Sequence, residues 1–134
     1  MIVKPIISAA DAAGRIKEGN TLMIGGFMDC GSPHTIIFAI KEIGTKNLTL
    51  ICNDTAIHNF KTGTVTGVGH LVQNKMFRKI IASHIGANQE TQRQMNTGET
   101  EVEEIVEIGE IDPNDVHTPS ILVDFIVKAE QLEY

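Results

Sequence analysis

Tryptophan is absent from this 134-residue chain, and aromatic residues make up only 4% of it. The formal net charge is −6, so the chain lacks both the stacking rings and the clustered basic residues that a nucleic-acid groove requires. No apolar run approaches the ~20 residues that cross a bilayer. The N-terminus also lacks the apolar segment of a signal peptide. We therefore expect no nucleic-acid or membrane partner and a cytoplasmic location.

Cysteine is scarce as well. Cys30 and Cys52 have no CxxC or Cys/His spacing, and the five histidines show no i, i+4 pair. This pattern predicts reduced, buried thiols and no metal site. A chain of this length, with 42% hydrophobic and 21% charged residues, is expected to form one globular domain over residues 1–134.

The most informative stretch is a short apolar run that breaks into two glycines and then restarts as a helix. Leu22–Ile24 is too short for a helix and has no polar face, which predicts a buried parallel strand. Gly25 and Gly26 end it and allow a ligand to approach the main chain. Ser32 before Pro33 predicts a capped helix start. Both a ligand-binding loop and a simple strand-to-helix turn fit this pattern.

The same alternation of strand, polar turn and helix repeats along the chain. Leu48–Cys52 and Arg78–Ser83 are predicted as two further buried strands, followed by Asn53 with Asp54 and by His84–Asn88. Three such repeats predict an α/β fold with an open, mostly parallel sheet flanked by helices. Because parallel strands end at one ligand-binding edge, Asn53 and Asp54 should lie beside the glycine loop.

The remaining expected elements follow from caps, periodicity and composition. Ala56–Gly69, rich in glycine and threonine, is expected to be a flexible surface segment. The expected helices and strand are a Ser8-capped helix to about Lys17, a helix from Pro33 ended by Gly44, a short helix over Val68–Asn74, a polar helix over Gln89–Met95 ended by Gly98, a half-exposed strand over Glu101–Ile111, and a helix starting at Thr118-Pro119. The β-branched residues after Thr118-Pro119 would suit a strand almost as well.

Three ordered blocks of sequence carry a family resemblance. They are Gly19-x-x-Leu22-Met23-Ile24-Gly25-Gly26-Phe27-x-x-x-Gly31-x-Pro33, then Leu48–Thr55, then Ile80–Asn88 running on to Gly98-Glu99. In order and spacing they resemble the α subunits of the family I coenzyme A transferases, specifically the acetate, butyrate and acetoacetate enzymes. One position departs, since the family favours Asp or Asn where this chain has Glu18. The tail from Glu107 through Val127 also matches.

The family pattern is interrupted in the middle. Family α subunits continue after the third block with Thr-Pro-Gln-Gly-Thr and a glycine-rich segment that helps form the coenzyme pocket, and neither is present here. Between about Val102 and Ile105 the chain passes directly to the family's tail. The resemblance therefore implies an internal deletion near 102–105, either in the protein or only in the sequence given.

The resemblance implies a function for the chain. It would be the α subunit of an enzyme that moves coenzyme A between short-chain acyl-CoA and carboxylic acids, through a glutamyl-CoA intermediate on a β subunit. Coenzyme A is then a substrate, the assembly is a hetero-oligomer, and no catalytic residue lies in this chain. Asn53 would stabilise the oxyanion of the reacting acyl group. The implied substrate-binding residues are Gly25, Gly26, Phe27, Asn53, Gly86 and Asn88.

Alternatives remain open at this stage. Asn53 could instead form an Asx turn that caps its strand, and Asp54 is expected to be structural. The chain could be a non-catalytic interaction domain that keeps the subunit interface but has lost the coenzyme pocket. A sugar-phosphate isomerase on a similar sheet would need a phosphate site and a pair of acid-base carboxylates, which the sequence does not supply.

Overall fold

A computed structural model describes residues 5–105 of the chain. Four helices and six strands lie in this part of the chain. In chain order they are α1 (Ala9–Ala13), β1 (Thr21–Ile24), α2 (His34–Ile43), β2 (Leu48–Asp54), β3 (His58–Asn59), β4 (Thr64–Val65), α3 (Gly69–Gln73), β5 (Phe77–His84), α4 (Gln89–Thr97) and β6 (Glu101–Glu104). The predicted helices over residues 68–74 and 89–95 and the strand over 78–83 are thereby confirmed.

The main sheet has the order β1-β2-β5-β6, and all three pairings are parallel. This confirms the predicted α/β fold, in which each parallel pairing needs a crossover segment. Strand β2 lies next to β1 and β5 and is buried along nearly its whole length, as its continuous apolar run predicts. A separate antiparallel pair, β3-β4, joins His58 to Val65.

The core lies between this sheet and the helices. Side chains of β2 and β5 supply its centre, and α2 and α3 pack against them. Removing these apolar groups from water is the main stabilising contribution. The largest fully buried apolar side chains are Ile37, Leu48, Leu50, Leu71, Val72, Met76 and Ile80.

Helix α1 starts where predicted but ends early. The Ser8 hydroxyl accepts from the backbone N–H of Asp11 at 3.0 Å, which confirms the cap. The prediction that this helix runs to about Lys17 was wrong, because it ends at Gly14. Glycine is a poor helix former, and the Asn20 side chain takes the backbone N–H of Lys17 at 2.8 Å in a separate turn.

The start of helix α2 was also predicted wrongly in detail. Pro33, not Ser32, occupies the cap position, and no side chain caps this helix. The backbone N–H groups of Ile36 and Ile37 both bond to the Pro33 carbonyl oxygen at 3.1 Å. The predicted stop is confirmed, since Gly44 adopts φ 70° and its N–H returns to the Ile40 carbonyl.

Three further predictions about exposure were wrong. Met23 is 50% exposed because β1 forms an edge of the sheet within residues 5–105. Cys30 is exposed, although Cys52 is buried as predicted. The segment expected to be flexible and on the surface instead contains the β3-β4 pair, and Ala56 and Val68 within it are buried in the core.

Parts of the predicted tail lie outside the described residues. Strand β6 covers the first four residues of the strand expected over Glu101–Ile111, and the helix expected from Thr118-Pro119 falls wholly outside. The single domain over 1–134 and the deletion near 102–105 stay predictions. In the described range no helix has both the length and the apolar character to cross a membrane.

Candidate functional site

Three strand ends meet at the carboxyl edge of the sheet. Ile24, the last residue of β1, pairs with Cys52, so Gly25 follows beside Asn53. Asp54, the last residue of β2, pairs with His84, the last residue of β5. The expectation that Asn53 and Asp54 lie beside the glycine loop is confirmed. This edge is where open α/β sheets bind ligands.

The glycine loop folds into a tight two-residue turn. Phe27 and Cys30 exchange backbone hydrogen bonds of 2.9 and 2.8 Å, and Met28 and Asp29 between them adopt φ 48° and 79°. Positive φ at both central residues is the geometry of a type I′ turn, which asparagine and glycine favour. Methionine adopts it only when other contacts compensate the strain. The turn presents the Phe27 side chain with 67% of its surface exposed.

The two glycines of the loop have different surroundings. A Cβ at Gly26 would lie 2.5 Å from the Ser32 hydroxyl oxygen, and φ there is 133°. A Cβ at Gly25 would meet no atom within 4 Å. Gly26 is therefore required by the turn itself. Gly25 leaves the backbone open to an approaching molecule.

Gly67 closes the loop from the other side and was not singled out by the sequence. It is buried, its φ is 45°, and a Cβ there would lie 2.6 Å from Asp29 Oδ1. Asp29 Oδ1 is itself buried, makes no hydrogen bond within residues 5–105, and lies 3.5 Å from His34 Nε2. Gly67 sits in a glycine-threonine stretch whose pattern does not distinguish a buried contact from an exposed turn.

The Asp54 side chain contacts the glycine loop. It is 5% exposed, and its Oδ2 accepts from the backbone N–H of Met28 at 2.9 Å. Its Oδ1 accepts from the backbone N–H of Ala56 at 2.8 Å. The predicted structural role of Asp54 agrees with these contacts. The sequence did not indicate Met28 as its partner, because the two residues are 26 positions apart.

The Asn53 side chain lies next to Asp54 and is partly committed. Its Nδ2 donates to Asp54 Oδ2 at 3.0 Å, and the residue is half-buried. The second N–H and the oxygen of the amide make no hydrogen bond to the part of the chain that the structure describes. A half-buried amide with one free donor, fixed by a carboxylate, can stabilise negative charge on a bound oxygen.

The turn after β5 is closed by Asn88. This residue has no exposed surface, its Oδ1 accepts from the backbone N–H of Thr91 at 2.9 Å, and its Nδ2 donates to the Thr55 carbonyl at 2.7 Å. Gly86 is exposed, and its carbonyl accepts from the Gln92 side chain at 2.9 Å. The structure therefore brings both predicted residues to the same edge, with the Asn88 amide engaged inside the protein.

Cys52, on strand β2, carries a buried thiol. Burial raises the pKa of the Cys52 thiol, and the neighbouring charge of Asp54 raises it further. The group is therefore protonated at neutral pH and is not a nucleophile. Among the described residues no three His, Cys, Asp or Glu side chains are grouped so as to hold a metal ion.

Sequence comparison relates the chain to one family of enzymes. The profile of the family described as Coenzyme A transferase matches residues 6–103. Acetate CoA-transferase subunit alpha of Escherichia coli K12 is 45% identical over 97 residues, which are 72% of this chain and 41% of the relative. The acetoacetyl-CoA:acetate/butyrate CoA transferase alpha subunit of Clostridium acetobutylicum is 44% identical over 87 residues, 65% of this chain and 37% of the relative.

Solved structures share the fold. An acyl-CoA transferase from Escherichia coli superposes with a TM-score of 0.59 at 17% identity, covering 76% of this chain and 20% of that one. A variant of the decarboxylase AibA/AibB superposes at 0.55 and 19% identity, over 73% of this chain and 37% of that one. The chain thus spans about two fifths of the length of the curated relatives it matches.

Proposed function

The chain belongs to the coenzyme A transferase family, and from this premise we propose that it is the α-type chain of an enzyme that transfers coenzyme A between short-chain acyl-CoA and carboxylic acids. Its substrates would be acetate, butyrate or acetoacetate and their thioesters. The observation that carries the proposal is the Asn53 amide, held by Asp54 beside the open backbone of Gly25. The strands of the three sequence blocks end at this same edge.

In this proposal the nucleophile comes from a β-type partner. A glutamate carboxylate of that partner attacks the thioester carbonyl, the carbonyl oxygen gains negative charge, and the C–S bond breaks to release the coenzyme A thiolate and leave a mixed anhydride. The thiolate then attacks the glutamyl carbonyl, which gives a glutamyl-CoA thioester and a free carboxylate. A second acid takes the coenzyme A by the reverse steps.

The role of this chain is to bind the acyl group and to stabilise negative charge on the carbonyl oxygen. The free N–H of the Asn53 amide donates to the carbonyl oxygen as it becomes negative, an effect worth ~3 kcal/mol in comparable sites. The backbone of Gly25, Gly26 and Phe27 lines the acyl pocket at the interface with the partner subunit, where the Phe27 side chain is exposed. Gly86 remains a predicted substrate contact, and the buried Asn88 holds its turn in place.

The proposed assembly is a cytoplasmic hetero-oligomer. Both relatives are named as alpha subunits, which implies a partner of different sequence for those proteins. One observation favours a second candidate, a non-catalytic domain that keeps the subunit interface. The family match ends at residue 103, and the matched residues make up only 41% of the Escherichia coli relative.

One experiment separates the two candidates. The chain is mixed with a β-type subunit that carries the nucleophilic glutamate, and coenzyme A transfer from acetoacetyl-CoA to acetate is measured, with each subunit alone as a control. We expect turnover only in the mixture. Turnover by this chain alone would refute the assignment of the nucleophile to the partner. A stable mixed complex without turnover would favour the interaction domain.

A further inference from the structure

We propose that Asp54 is a positioning residue whose carboxylate fixes the Asn53 amide and the glycine loop relative to each other. The inference rests on the proposed function, in which Asn53 contacts the reacting oxygen. The inference explains how the Asn53 amide is held in a fixed position relative to the reacting oxygen. The donor to the substrate and one wall of the pocket would be held by the same buried group.

Three N–H groups converge on the Asp54 carboxylate. They are the backbone N–H of Met28 in the glycine loop at 2.9 Å, the Asn53 amide at 3.0 Å and the backbone N–H of Ala56 at 2.8 Å. The carboxylate is almost completely removed from water. Hydrogen bonds to an ionised acceptor are about twice as strong as those between neutral groups. The glycine loop and the end of β2 are therefore held to one carboxylate.

A local turn explains only part of this arrangement. An aspartate that caps a turn accepts from the backbone two residues on, and the bond from Ala56 N to Oδ1 is that contact. The other oxygen, Oδ2, takes no part in the turn. It accepts from Met28, which belongs to a different strand end, and from Asn53. These two bonds exceed what the turn requires and connect the two parts of the site.

The side chain at position 54 must accept hydrogen bonds and donate none. All three partners are donors, and an ionised carboxylate has no hydrogen to offer them. An asparagine at position 54 has nearly the same shape, but its NH₂ would face at least one of the N–H groups. Asp54→Asn therefore separates the charge and the acceptor from the volume of the side chain. Asp54→Ser keeps an oxygen that can serve the Ala56 turn and removes the acceptor for Met28 and Asn53.

The first test uses the isolated full chain. Hydrogen exchange of the Met28 and Ala56 amides and the NMR signals of the Asn53 side-chain amide are compared in the parent protein, Asp54→Ser and the core control Ile80→Val. We expect Asp54→Ser to speed exchange at Met28 about tenfold more than at Ala56 and to shift the Asn53 signals. Ile80→Val should change the exchange rates of Met28 and Ala56 by the same factor as those of the other core amides. Unaltered Met28 protection in Asp54→Ser would overturn the inference.

The second test is a double-mutant cycle in the active complex. Asn53→Ala is expected to lower kcat about a hundredfold, and Asp54→Asn about thirtyfold. If Asp54 acts through Asn53, Asp54→Asn made in the Asn53→Ala background should lower kcat by only about threefold more. The KM values for both substrates, measured in the same assays, separate this effect from weaker binding.

The outcomes distinguish the inference from the proposed function. Equal losses from Asp54→Asn in both backgrounds would overturn the positioning role while leaving Asn53 as the oxyanion contact. Full activity of Asn53→Ala would overturn the oxyanion role of Asn53 and, with it, the catalytic part of the inference, whereas the proposed function fails only if the parent complex transfers no coenzyme A. Should Asp54→Asn not fold, Asp54→Ser is used in the same cycle with the same expected ratio.

Discussion

The turn after β1 and the turn after β5 occupy the same edge of the sheet, and both lead into a helix, yet they are built differently. The first has an uncapped helix start and an exposed Phe27. The second is closed by Asn88, whose amide oxygen and nitrogen are both bonded inside the protein. The comparison teaches that equivalent positions in a parallel sheet can serve either binding or stability, according to whether their polar groups already have partners.

The largest expected effect concerns Asn53 of β2, which lies beside the turn after β1. Asn53→Ala in the complete enzyme should raise the barrier by about 3 kcal/mol, roughly a hundredfold in kcat, because it removes a donor to an oxygen that becomes negative. The free energy of unfolding should fall by only ~1 kcal/mol. Steady-state kinetics and urea melts of the same variant check both numbers. A loss of several kcal/mol of stability with turnover per folded molecule unchanged would make Asn53 a turn residue.

The matching substitution on the other side should show the reverse ranking. Asn88→Ala removes a helix cap and the bond to the buried Thr55 carbonyl, so we expect the free energy of unfolding to fall by about 2 to 3 kcal/mol. Turnover per folded molecule should stay within about threefold, since the effect is on stability. Strongly reduced turnover with normal stability would instead support the substrate contact that the family resemblance implies.

The two glycines provide a sharper comparison within the first turn. Gly26→Ala should cost ~2 kcal/mol of stability, because its φ is 133° and the new Cβ would meet Ser32. Gly25→Ala should leave stability within about 0.5 kcal/mol, since a Cβ there has open space. In the active complex Gly25→Ala should nonetheless raise KM if acyl groups approach this backbone. Unaltered kinetics in a stable Gly25→Ala variant would remove Gly25 from the pocket.

The smallest expected effect concerns the carboxyl group of Glu99, which follows helix α4. Hydrogen bonds from Arg93 first and from Lys75 second lower the pKa of Glu99 to about 2 from its usual 4.5. Because the folded pKa is the lower one, the stabilisation is present above pH 4.5 and is lost as the pH falls towards 2. Arg93→Met should raise the pKa of Glu99 and flatten this pH dependence. A ¹³C NMR titration of the carboxyl group checks it, and an unaltered pKa would contradict it.

The sequence was sufficient for strands β1, β2 and β5 and for the polar residues at their ends, but not for β3 and β4. Leu48–Cys52 is apolar without alternation because β2 is buried on both faces, and Asn53 and Asp54 then had to lie at the carboxyl edge. The sequence pattern did not predict conformation or burial where these depend on contacts between residues far apart in the chain. Met28 holds a positive φ through a carboxylate 26 residues away, and Gly67 is buried by a loop from another strand. Local propensity contains neither contact.

Errors at the helix starts have a different cause. Ser32 is a good cap residue, but its hydroxyl lies against Gly26, and Pro33 takes the cap position. The prediction that α1 runs from the Ser8 cap to about Lys17 overlooked Gly14, after which the helix ends. Cys30 was expected to be buried from the average behaviour of free thiols, whereas the tight turn exposes it.

The separation along the chain between Met28 and Asp54 has a consequence for folding kinetics. The bond between them spans 26 residues, and the bond from Asn88 to Thr55 spans 33, so neither forms until distant strands have paired. Closing such long loops costs conformational entropy, and the contacts that compensate this cost form late in folding. Substitutions at Asp54 and Asn88 should therefore speed unfolding much more than they slow folding, which stopped-flow chevron plots would show as low φ-values. The site would be the last part of the sheet to assemble and the first to open.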